Sequence, residues 1–462
     1  MRYDAVVIGA GMSGLAAGIR LAQFGKRVVV LEKHALWGGL NSFYTKNGRP
    51  FDVGLHALTN YAPAGKKGVV LTRLLRALRL RHEDLELGEQ SFSEILLPGL
   101  RLTFTNDFGH FQGEVERAFP GERDGFARLV RAIREHPLSE DEALFQSGRA
   151  VLEEHLRDPW LVDALLLPLL YYGSAREDDL DWRELVVLFR SLFLEGLARP
   201  SGGIRTLLNL LVKRLKHAGA ELRLSTGVRR IRVERGILLG VELESGELLE
   251  TDQVYSSAGR VETLGLCGDE SAVHAEAGRL SFLESISVLD RPPAELGLCA
   301  AASFFCSAPP FRYRRPAGLL DVTSGVVSSP NNFAAARPPR EGLVRLTVLA
   351  NHDRWCALSD DEYARAKLRG AEGALASAAT LLPDWNPHTV FRDVFTPRTI
   401  RRYTGHAAGA VYGSPHKHWS GRTDVEGLFL IGTDQGYLGV IGALASGVAM
   451  ANRHGLVTSV NP

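Results

Sequence analysis

Short apolar runs alternate with a helical pattern at the start of the chain. The run from Ala5 to Ile8 has the length and composition of a buried parallel strand. The residues from Leu15 to Ala22 then show helical spacing, and the segment from Arg27 to Leu31 repeats the pattern of a buried strand. A strand, a helix and a second strand in this order predict a βαβ unit of an α/β fold.

Three glycines separate the first predicted strand from the helix. Gly9, Gly11 and Gly14 form a GxGxxG motif, and Glu32 stands at the carboxyl end of the second strand. In such a motif the first glycine permits a tight turn, the second lets the backbone approach a pyrophosphate, and the third lets the helix pack closely on the strand. The helix N-terminus offers free N–H groups to phosphates, and Glu32 can accept hydrogen bonds from ribose hydroxyls. These features indicate a dinucleotide-binding site.

The residues after Glu32 distinguish among the dinucleotides. They are Lys33, then Gly38, Gly39, Leu40, Asn41 and Ser42, then the Phe51-Asp52-Val53-Gly54 element. Here the chain resembles the FAD superfamily of flavin amine oxidases, phytoene desaturases and polyene isomerases, in which a double glycine after the acid lets the backbone lie against FAD. Leu40 stands where an arginine is often found, which removes a charged contact to the pyrophosphate. The resemblance implies FAD, bound non-covalently because no cysteine follows Cys356.

The C-terminal end of the chain resembles the same superfamily. The segment from Glu426 to Asp434 has the pattern of a buried strand that ends in Gly-Thr-Asp, and a helix is predicted to begin near Gly442. Asp434 can bond the ribityl hydroxyls of FAD or orient backbone amides toward the phosphate. The helix N-terminus would point at the flavin pyrimidine ring, where negative charge gathers on reduction.

A third stretch completes the predicted cofactor domain. The segment from Pro200 to Ile204 opens an amphipathic helix that ends at Gly219. The resemblance places the backbone of Val228 against the adenine ring, with Ala258 and Gly259 near the phosphates. The predicted cofactor-binding residues are Gly9, Gly11, Met12, Ser13, Gly14, Glu32, Lys33, Gly38, Gly39, Leu40, Asn41, Val228, Ala258, Gly259, Gly432, Asp434, Val440, Ile441, Gly442 and Ala443.

Two long insertions interrupt this cofactor domain. The first is mostly helical in pattern, with apolar runs at 165–172 and 185–194, and the second mixes strand-like runs with a polar helix. We expect the two apolar runs to be core, with a hydrocarbon tunnel or a contact with a lipid surface as the functional alternative. The pattern predicts an α/β fold with a Rossmann-like FAD-binding domain and an inserted α+β substrate domain. The FAD-binding domain is predicted to comprise 1–60, 196–275 and 396–462, and the substrate domain 61–195 and 276–395.

Composition and charge narrow the classes of partner. The chain carries 54 Lys and Arg against 53 Asp and Glu, which gives no support to a nucleic-acid partner. Its four cysteines form no CxxC pair and no ligand-like cluster with histidine, so we expect neither a bound metal nor a disulfide framework. No run reaches the roughly 20 apolar residues of a membrane-spanning helix. We therefore expect a cytoplasmic protein that meets a membrane, if at all, at the surface.

Two residues are candidates for a catalytic role at the flavin. His56 follows the FDxG element in an FDxGxH form that resembles retinol saturase and related desaturase-like flavoproteins. It could position a polar end of the substrate or relay a proton, or it could be hydrogen-bonded within the scaffold. Flavin amine oxidases carry an aromatic residue three positions before the C-terminal Gly-Ala pair. Gly439 occupies that position here, and Tyr437 would substitute only in part because its offset is wrong.

The expected function follows from the branch that the chain resembles. We expect an FAD-dependent oxidoreductase of the desaturase, saturase or isomerase type that acts on a hydrophobic, isoprenoid or carotenoid-like substrate. Hydride would pass between a substrate carbon and flavin N5, and such a site needs few acid–base residues because the cofactor carries the chemistry. Two alternatives stay open: a flavin amine oxidase or porphyrinogen-type oxidase that uses oxygen, and a flavin-binding protein without catalysis.

Overall fold

A five-stranded parallel sheet forms the centre of the predicted cofactor domain. The computed structural model describes residues 1–139, 141–269, 276–335 and 339–456. Across the sheet the strands follow the order Leu428–Leu430, Val254–Ser256, Ala5–Ile8, Val28–Leu31 and Glu221–Arg223. Every neighbouring pair is parallel, and strands from both ends of the chain lie side by side. The sheet confirms the predicted α/β fold.

Three helices pack into one apolar core with this sheet. They are Met12–Ala22, Ile204–His217 and Gly439–Met450. The first helix is buried along nearly its whole length. It approaches the sheet so closely that a Cβ added to Gly14 would lie 1.9 Å from the carbonyl oxygen of Gly9. Glycine at position 14 is therefore a condition of this packing, as the motif predicts.

A seven-stranded sheet joins the two insertions. Its order is Thr389–Phe395, Ser281–Leu289, Gly342–Ala350, Leu320–Ser328, Ala302–Cys306, Ser93–Leu97 and Leu100–Phe104. All neighbours are antiparallel except Ala302–Cys306 and Ser93–Leu97. The first insertion, predicted to be mostly helical, thus also contributes two strands to a sheet that the second insertion builds.

The apolar runs of the first insertion belong to the core. They form the helices Pro159–Gly173 and Trp182–Phe189 with the π-helical turn Arg190–Leu194. Leu165, Leu166 and Leu185 are fully buried in one cluster with the aromatic side chains of neighbouring elements. Tunnel or lipid contact is therefore not the role of these buried side chains. No helix in the described ranges combines the length and the apolar character needed to cross a bilayer.

Smaller elements complete the fold. A three-stranded antiparallel sheet contains Val228–Glu234, Ile237–Leu243 and Leu248–Glu250. Phe43–Lys46 and Arg49–Asp52 form a hairpin, and Leu87–Glu89 pairs antiparallel with the distant strand Ala198–Pro200. Further α-helices within the described ranges are Val70–Leu78, Phe108–Ala118, Arg123–Glu135, Gly148–His155, Arg260–Cys267, His352–Cys356, Asp360–Ala378 and Pro397–Thr404. The division into two domains stays a prediction, and 270–275 and 457–462 of the proposed cofactor domain lie outside the described residues.

Candidate functional site

A cavity of about 1110 Å³ opens at the carboxyl ends of the parallel strands. Ile8, Leu31 and Ile431, which end or follow three of these strands, form part of its wall. Ligands of open α/β sheets bind at this edge because the strand ends and the helix N-termini converge there. The cavity therefore lies where the GxGxxG motif predicts a dinucleotide.

Most of the predicted cofactor-binding residues line this cavity. They are Gly9, Gly11, Met12, Ser13, Glu32, Lys33, Gly38, Gly39, Leu40, Asn41, Val228, Ala258, Gly259, Gly432, Asp434 and Ala443. Gly14, Val440, Ile441 and Gly442 do not belong to its wall: Gly14 faces the sheet, and Val440 and Ile441 are buried in the core. The predicted residues from the two ends and the middle of the chain thus share one wall.

The glycine turn shapes the phosphate side of the cavity. Gly9 has φ 92°, a left-handed conformation that favours glycine, and a Cβ there would lie 2.3 Å from the Ser257 hydroxyl. Gly11 precedes the first helix, and a Cβ at this position would enter open space. A side chain at Gly11 would therefore occupy part of the cavity next to the free N–H groups of the helix.

Glu32 is a buried carboxylate fixed by two main-chain amides. Its Oε2 accepts from the Ala10 N–H at 2.9 Å and its Oε1 from the His34 N–H at 3.0 Å. Each oxygen keeps a second acceptor position, so the carboxylate can still bind ribose hydroxyls. The Nε2 of His34, which also lines the cavity, is buried and has no hydrogen-bond partner in the described part of the chain. Both observations fit a polar ligand at this end.

Asp434 ties together two loops on the opposite side of the cavity. Its Oδ2 accepts from the Arg260 N–H at 2.6 Å and its Oδ1 from the Ser414 N–H at 2.8 Å. The ammonium of Lys417, equally buried, lies 3.6 Å from Oδ1. A Cβ on Gly413 would come within 2.0 Å of the same oxygen. Of the two roles open for Asp434, these contacts match the orientation of backbone amides.

The C-terminal helix begins at Gly439, three residues before the position that the sequence pattern predicts. Gly439 has φ 73°, which lets the chain turn into the helix earlier. As a result Gly442 lies within the first turn and packs against the backbone of Tyr437, and only Ala443 of the Gly-Ala pair reaches the cavity. The Tyr437 ring packs edge-on against Trp419 at 5.7 Å and does not line the cavity.

The FDxGxH segment joins the cavity to the seven-stranded sheet. Val53 lines the cavity, and a Cβ on Gly54 would lie 2.4 Å from the Leu40 carbonyl oxygen, so the segment packs directly on the cofactor side. His56 lies outside the cavity lining, with 24% of its side chain exposed. Its Nδ1 is 2.7 Å from the Ser328 hydroxyl, so His56 is hydrogen-bonded to the sheet.

Side chains from three adjacent strands surround the His56 imidazole. Its Nε2 lies 3.5 Å from the Thr347 hydroxyl and 3.8 Å from Oε2 of Glu284. We call His56, Glu284, Ser328, Thr347 and Arg345 the His56 cluster. Arg345 is 1% exposed, and its guanidinium donates to Glu284 Oε1 at 2.6 Å and to the Leu55 carbonyl at 2.6 Å. The cluster therefore fixes both the imidazole and the backbone that leads to it.

Burial and nearby cations decide the charge of His56. Desolvation, followed by the guanidinium groups of Arg345 and Arg199, lowers the pKa of the imidazole well below its usual value. Arg199 approaches because it donates to the carbonyls of Leu55 and His56, at 2.8 and 3.0 Å, and pairs with Asp52. Burial raises the pKa of the Glu284 carboxyl, against the effect of Arg345. His56 is accordingly a neutral imidazole at pH 7.

A fourth stretch of the wall was absent from the predicted site residues. It comes from the strand Thr389–Phe395 and the helix Pro397–Thr404 with the turn that follows. The lining residues that it contributes include Asp393, Phe395, Thr399, Ile400, Tyr403 and His406. One signal for it is present in the sequence: the run from Phe395 to Ile400 resembles the desaturase-like branch, and the predicted FAD-binding domain resumes at 396. No residue of this stretch was predicted individually to bind the cofactor.

Comparison with known proteins identifies the kind of site. Residues 12–263 match the model of the family described as flavin containing amine oxidoreductase. The chain is 24% identical to the chloroplastic prolycopene isomerase of Daucus carota, over 98% of this chain and 80% of that protein. It is 25% identical to the all-trans-retinol 13,14-reductase of Danio rerio, over 98% and 86%. The phytoene desaturase of Neurospora crassa is 29% identical over 56% of this chain and 49% of its own length.

Solved structures share the fold over nearly the whole chain. An oxidoreductase from Methanosarcina mazei has a TM-score of 0.66 at 17% identity, covering 97% of this chain and 99% of its own. Cyclohexylamine oxidase from Brevibacterium oxydans has a TM-score of 0.62 at 14% identity, with coverage of 97% and 99%. At these identities the likeness concerns the fold.

Proposed function

The chain belongs to the flavin containing amine oxidoreductase family, and on this premise we propose that it is an FAD-dependent oxidoreductase that acts on an apolar polyene. The reaction would be of the desaturase, saturase or isomerase type, and the substrate isoprenoid or carotenoid-like. The observation that carries the proposal is the apolar part of the cavity wall, to which Val53, three residues before His56, contributes together with Val411 and Ile431.

The cavity fits FAD in three respects. The open space at Gly11 and the helix N-terminus suit the pyrophosphate, and Glu32 suits the adenosine ribose. The amides held by Asp434 suit the opposite end of the cofactor. Bound FAD supplies two-electron chemistry at its isoalloxazine ring, while the protein orients the substrate and excludes water.

The substrate class follows from the wall and from the relatives taken together. The carboxylates nearest this apolar wall are already paired with cations: Glu284 beside His56 pairs with Arg345, and Asp393 of the cavity lining pairs with Lys46. Because the His56 imidazole is neutral as well, none of these groups offers an unpaired negative charge to a substrate ammonium. The names of the full-length relatives refer to prolycopene and to retinol. Both are conjugated or partly conjugated hydrocarbons, and retinol adds one hydroxyl group. These features support a polyene substrate over an amine.

His56 is proposed to contact the substrate rather than the flavin. Its Nδ1 is engaged by the Ser328 hydroxyl at 2.7 Å, whereas Nε2 has the longer contact of 3.5 Å with the Thr347 hydroxyl and is the atom better placed to receive or release a proton. A neutral imidazole can also accept a hydrogen bond from a terminal hydroxyl of the substrate. The proximity of Glu284 to Nε2 would keep the ring oriented while this bond forms.

Product analysis tests the proposal. The FAD-loaded protein is incubated with phytoene, prolycopene and retinol in detergent, with and without a reductant, and the products are separated by chromatography. We expect conversion of at least one polyene and none of putrescine or cyclohexylamine. Rapid turnover of a primary amine with consumption of oxygen would establish the amine oxidase alternative. Unchanged compounds throughout, with flavin bound, would favour a protein without catalysis.

We also propose a cytoplasmic location with contact at a membrane surface. An apolar polyene is delivered from a lipid phase, and Leu144 and Phe145 expose 95% and 46% of their surface. Flotation with phospholipid vesicles tests this contact. The wild-type protein should float with the vesicles, and the double variant Leu144→Ser, Phe145→Ser should float less while it keeps its flavin.

A further inference from the structure

A thiol, an imidazole and a carboxylate lie in line on the short helix His352–Cys356, away from the cavity. The Sγ of Cys356 is 3.2 Å from Nε2 of His352, and Nδ1 of the same ring is 3.1 Å from Oδ1 of Asp353. A spacing of four residues places the cysteine and the histidine on one face of the helix. This is the order of groups in which an imidazole, oriented by a carboxylate, takes the proton of a thiol.

The surroundings hold the imidazole and the carboxylate in place. His352 is 7% exposed, so its ring is fixed by packing. Arg315 donates to Oδ2 of Asp353 at 2.9 Å, on the side opposite the histidine. The Asn351 side chain accepts from the Asp353 N–H at 3.1 Å and thereby caps the helix. The hydrogen bond from His352 lowers the pKa of the Asp353 carboxyl, which keeps this group ionised beside the ring.

The four cysteines of the chain are free thiols that differ in access and in partner. Cys356 and Cys299 are both exposed, but the hydrogen bond of the Cys299 thiol within the described residues goes to the main-chain carbonyl of Ala294, at 3.9 Å. Cys306 is buried, and burial raises the pKa of its thiol to about 11. Burial also raises the pKa of the Cys267 thiol. Cys299 is therefore a control for Cys356, because it is also exposed and its thiol has no hydrogen bond to an imidazole among the described residues.

We propose that Cys356 is a reactive thiol that exchanges with small soluble disulfides. The thiol proton passes from Sγ to Nε2 of His352, and the thiolate attacks one sulfur of the disulfide. A new S–S bond forms to Cys356 as the original S–S bond breaks, and the departing thiolate takes the proton from the imidazolium. The protein ends as a mixed disulfide and one small thiol is released, so no further oxidant is required.

This site is separate from the proposed enzyme function. None of its three residues lines the cofactor cavity. Its chemistry needs neither FAD nor a polyene, so it would stand if the substrate assignment failed. The thiolate form is the nucleophile in such exchange, and a neighbouring imidazolium stabilises it.

The test measures exchange of the native, FAD-loaded protein with the chromogenic disulfide dithionitrobenzoate, and mass spectrometry assigns the labelled cysteine. We expect Cys356 to react about tenfold faster than Cys299. The variant His352→Gln should slow Cys356 to the rate of Cys299, and Asp353→Asn should slow it less. Flavin content verifies that each variant is folded.

Two results would overturn the proposal. One is a Cys356 rate no higher than that of Cys299 in the wild-type protein. The other is a Cys356 rate that His352→Gln leaves unchanged. If His352→Gln fails to fold, the proposal is tested by Asp353→Asn, a substitution at an exposed side chain, and by the rates of the two cysteines in the wild-type protein. In either case Cys356→Ser must abolish the faster of the two labelling reactions.

Discussion

The two sides of the candidate site are built from different parts of the polypeptide. On the cofactor side the wall is largely main chain: glycines, strand ends and a helix N-terminus, with Glu32 and Asp434 holding amides in place. The side of the His56 cluster is built from side chains of three strands that lie outside the cavity lining, and they meet only because the sheet brings positions 284, 328 and 345 together. The cofactor side depends on residues that have no side chain, and the side of the His56 cluster depends on charged and polar side chains.

This difference determines which kind of substitution would disrupt the packing of each side. The cofactor side is most sensitive to replacement of its glycines, because a Cβ added at Gly14 or Gly54 would collide with a main-chain carbonyl oxygen. A lost partner is the main threat to the His56 cluster, because a buried charge without its partner is costly. Four substitutions separate the two kinds of dependence.

The largest effect is expected for Gly14→Val on the cofactor side. Its side chain would collide with the Gly9 carbonyl and push the first helix off the sheet. We expect loss of bound FAD and destabilisation by at least about 4 kcal/mol, measured by flavin absorbance and urea unfolding. The control is Gly113→Ala, at a helix position where the new Cβ would have no atom within 4 Å. This variant should keep its bound FAD and its free energy of unfolding. Full flavin content in Gly14→Val would refute the packing argument.

The second effect is expected for Arg345→Met in the His56 cluster. Removal of the guanidinium leaves Glu284 buried without its partner and takes from the Leu55 carbonyl one of its two donors, the other being Arg199. We expect a loss of about 3–5 kcal/mol in the free energy of unfolding. Arg2→Met breaks an exposed ion pair and should change stability little. Equal losses in the two variants would show that burial does not govern the cluster.

The third effect concerns the affinity for FAD. In Glu32→Gln the amide nitrogen replaces one oxygen and cannot accept from the Ala10 or His34 N–H. We expect FAD to bind about tenfold more weakly, which corresponds to about 1.4 kcal/mol. The measurement is fluorescence titration of the apoprotein. Glu221→Gln, in the same sheet but outside the cavity lining, serves as the control, and a matching loss of affinity there would remove the special role of Glu32.

The smallest effect is a pH dependence that belongs to His56. The folded state depresses the imidazole pKa, so between that value and the ordinary pKa the unfolded chain binds more protons. Stability is therefore fully present above the ordinary pKa of histidine and falls as the pH decreases below it. Between pH 7.5 and about pH 5.5, His56→Gln should lose about 1 kcal/mol less than the wild-type protein in urea unfolding. Parallel curves would contradict the burial of a neutral His56.

The same contrast explains what could be predicted from the sequence. Main-chain features leave local signatures, so the order of strand, GxGxxG, helix and acid predicted the parallel sheet and the part of the cavity wall that Gly9, Gly11 and Glu32 form. The start of the C-terminal helix was misplaced because a glycine at 439 with positive φ is compatible with both a loop and a helix entry. The pattern of apolar and polar residues around position 439 does not distinguish a loop from the start of a helix.

The His56 cluster leaves no comparable local pattern in the sequence. Glu284 and Arg345 are 61 positions apart, and each alone reads as an ordinary polar residue of a strand. Their proximity follows from antiparallel register, which the hydrophobic pattern does not specify for strands buried on both faces. The stretch from Asp393 to His406 was missed residue by residue: the predicted cofactor domain resumes at 396, but the local pattern did not indicate which of its side chains face the cavity.

The most direct test of the account is an anaerobic titration of the FAD-loaded protein followed by its flavin absorption spectrum. The central claim is that an apolar polyene binds beside the flavin, at the wall formed by Val53 and Val411. Retinol or a carotene should perturb the flavin spectrum and saturate at one equivalent, while putrescine should leave it unchanged. A spectrum that no polyene alters, but that an amine bleaches, would contradict the account.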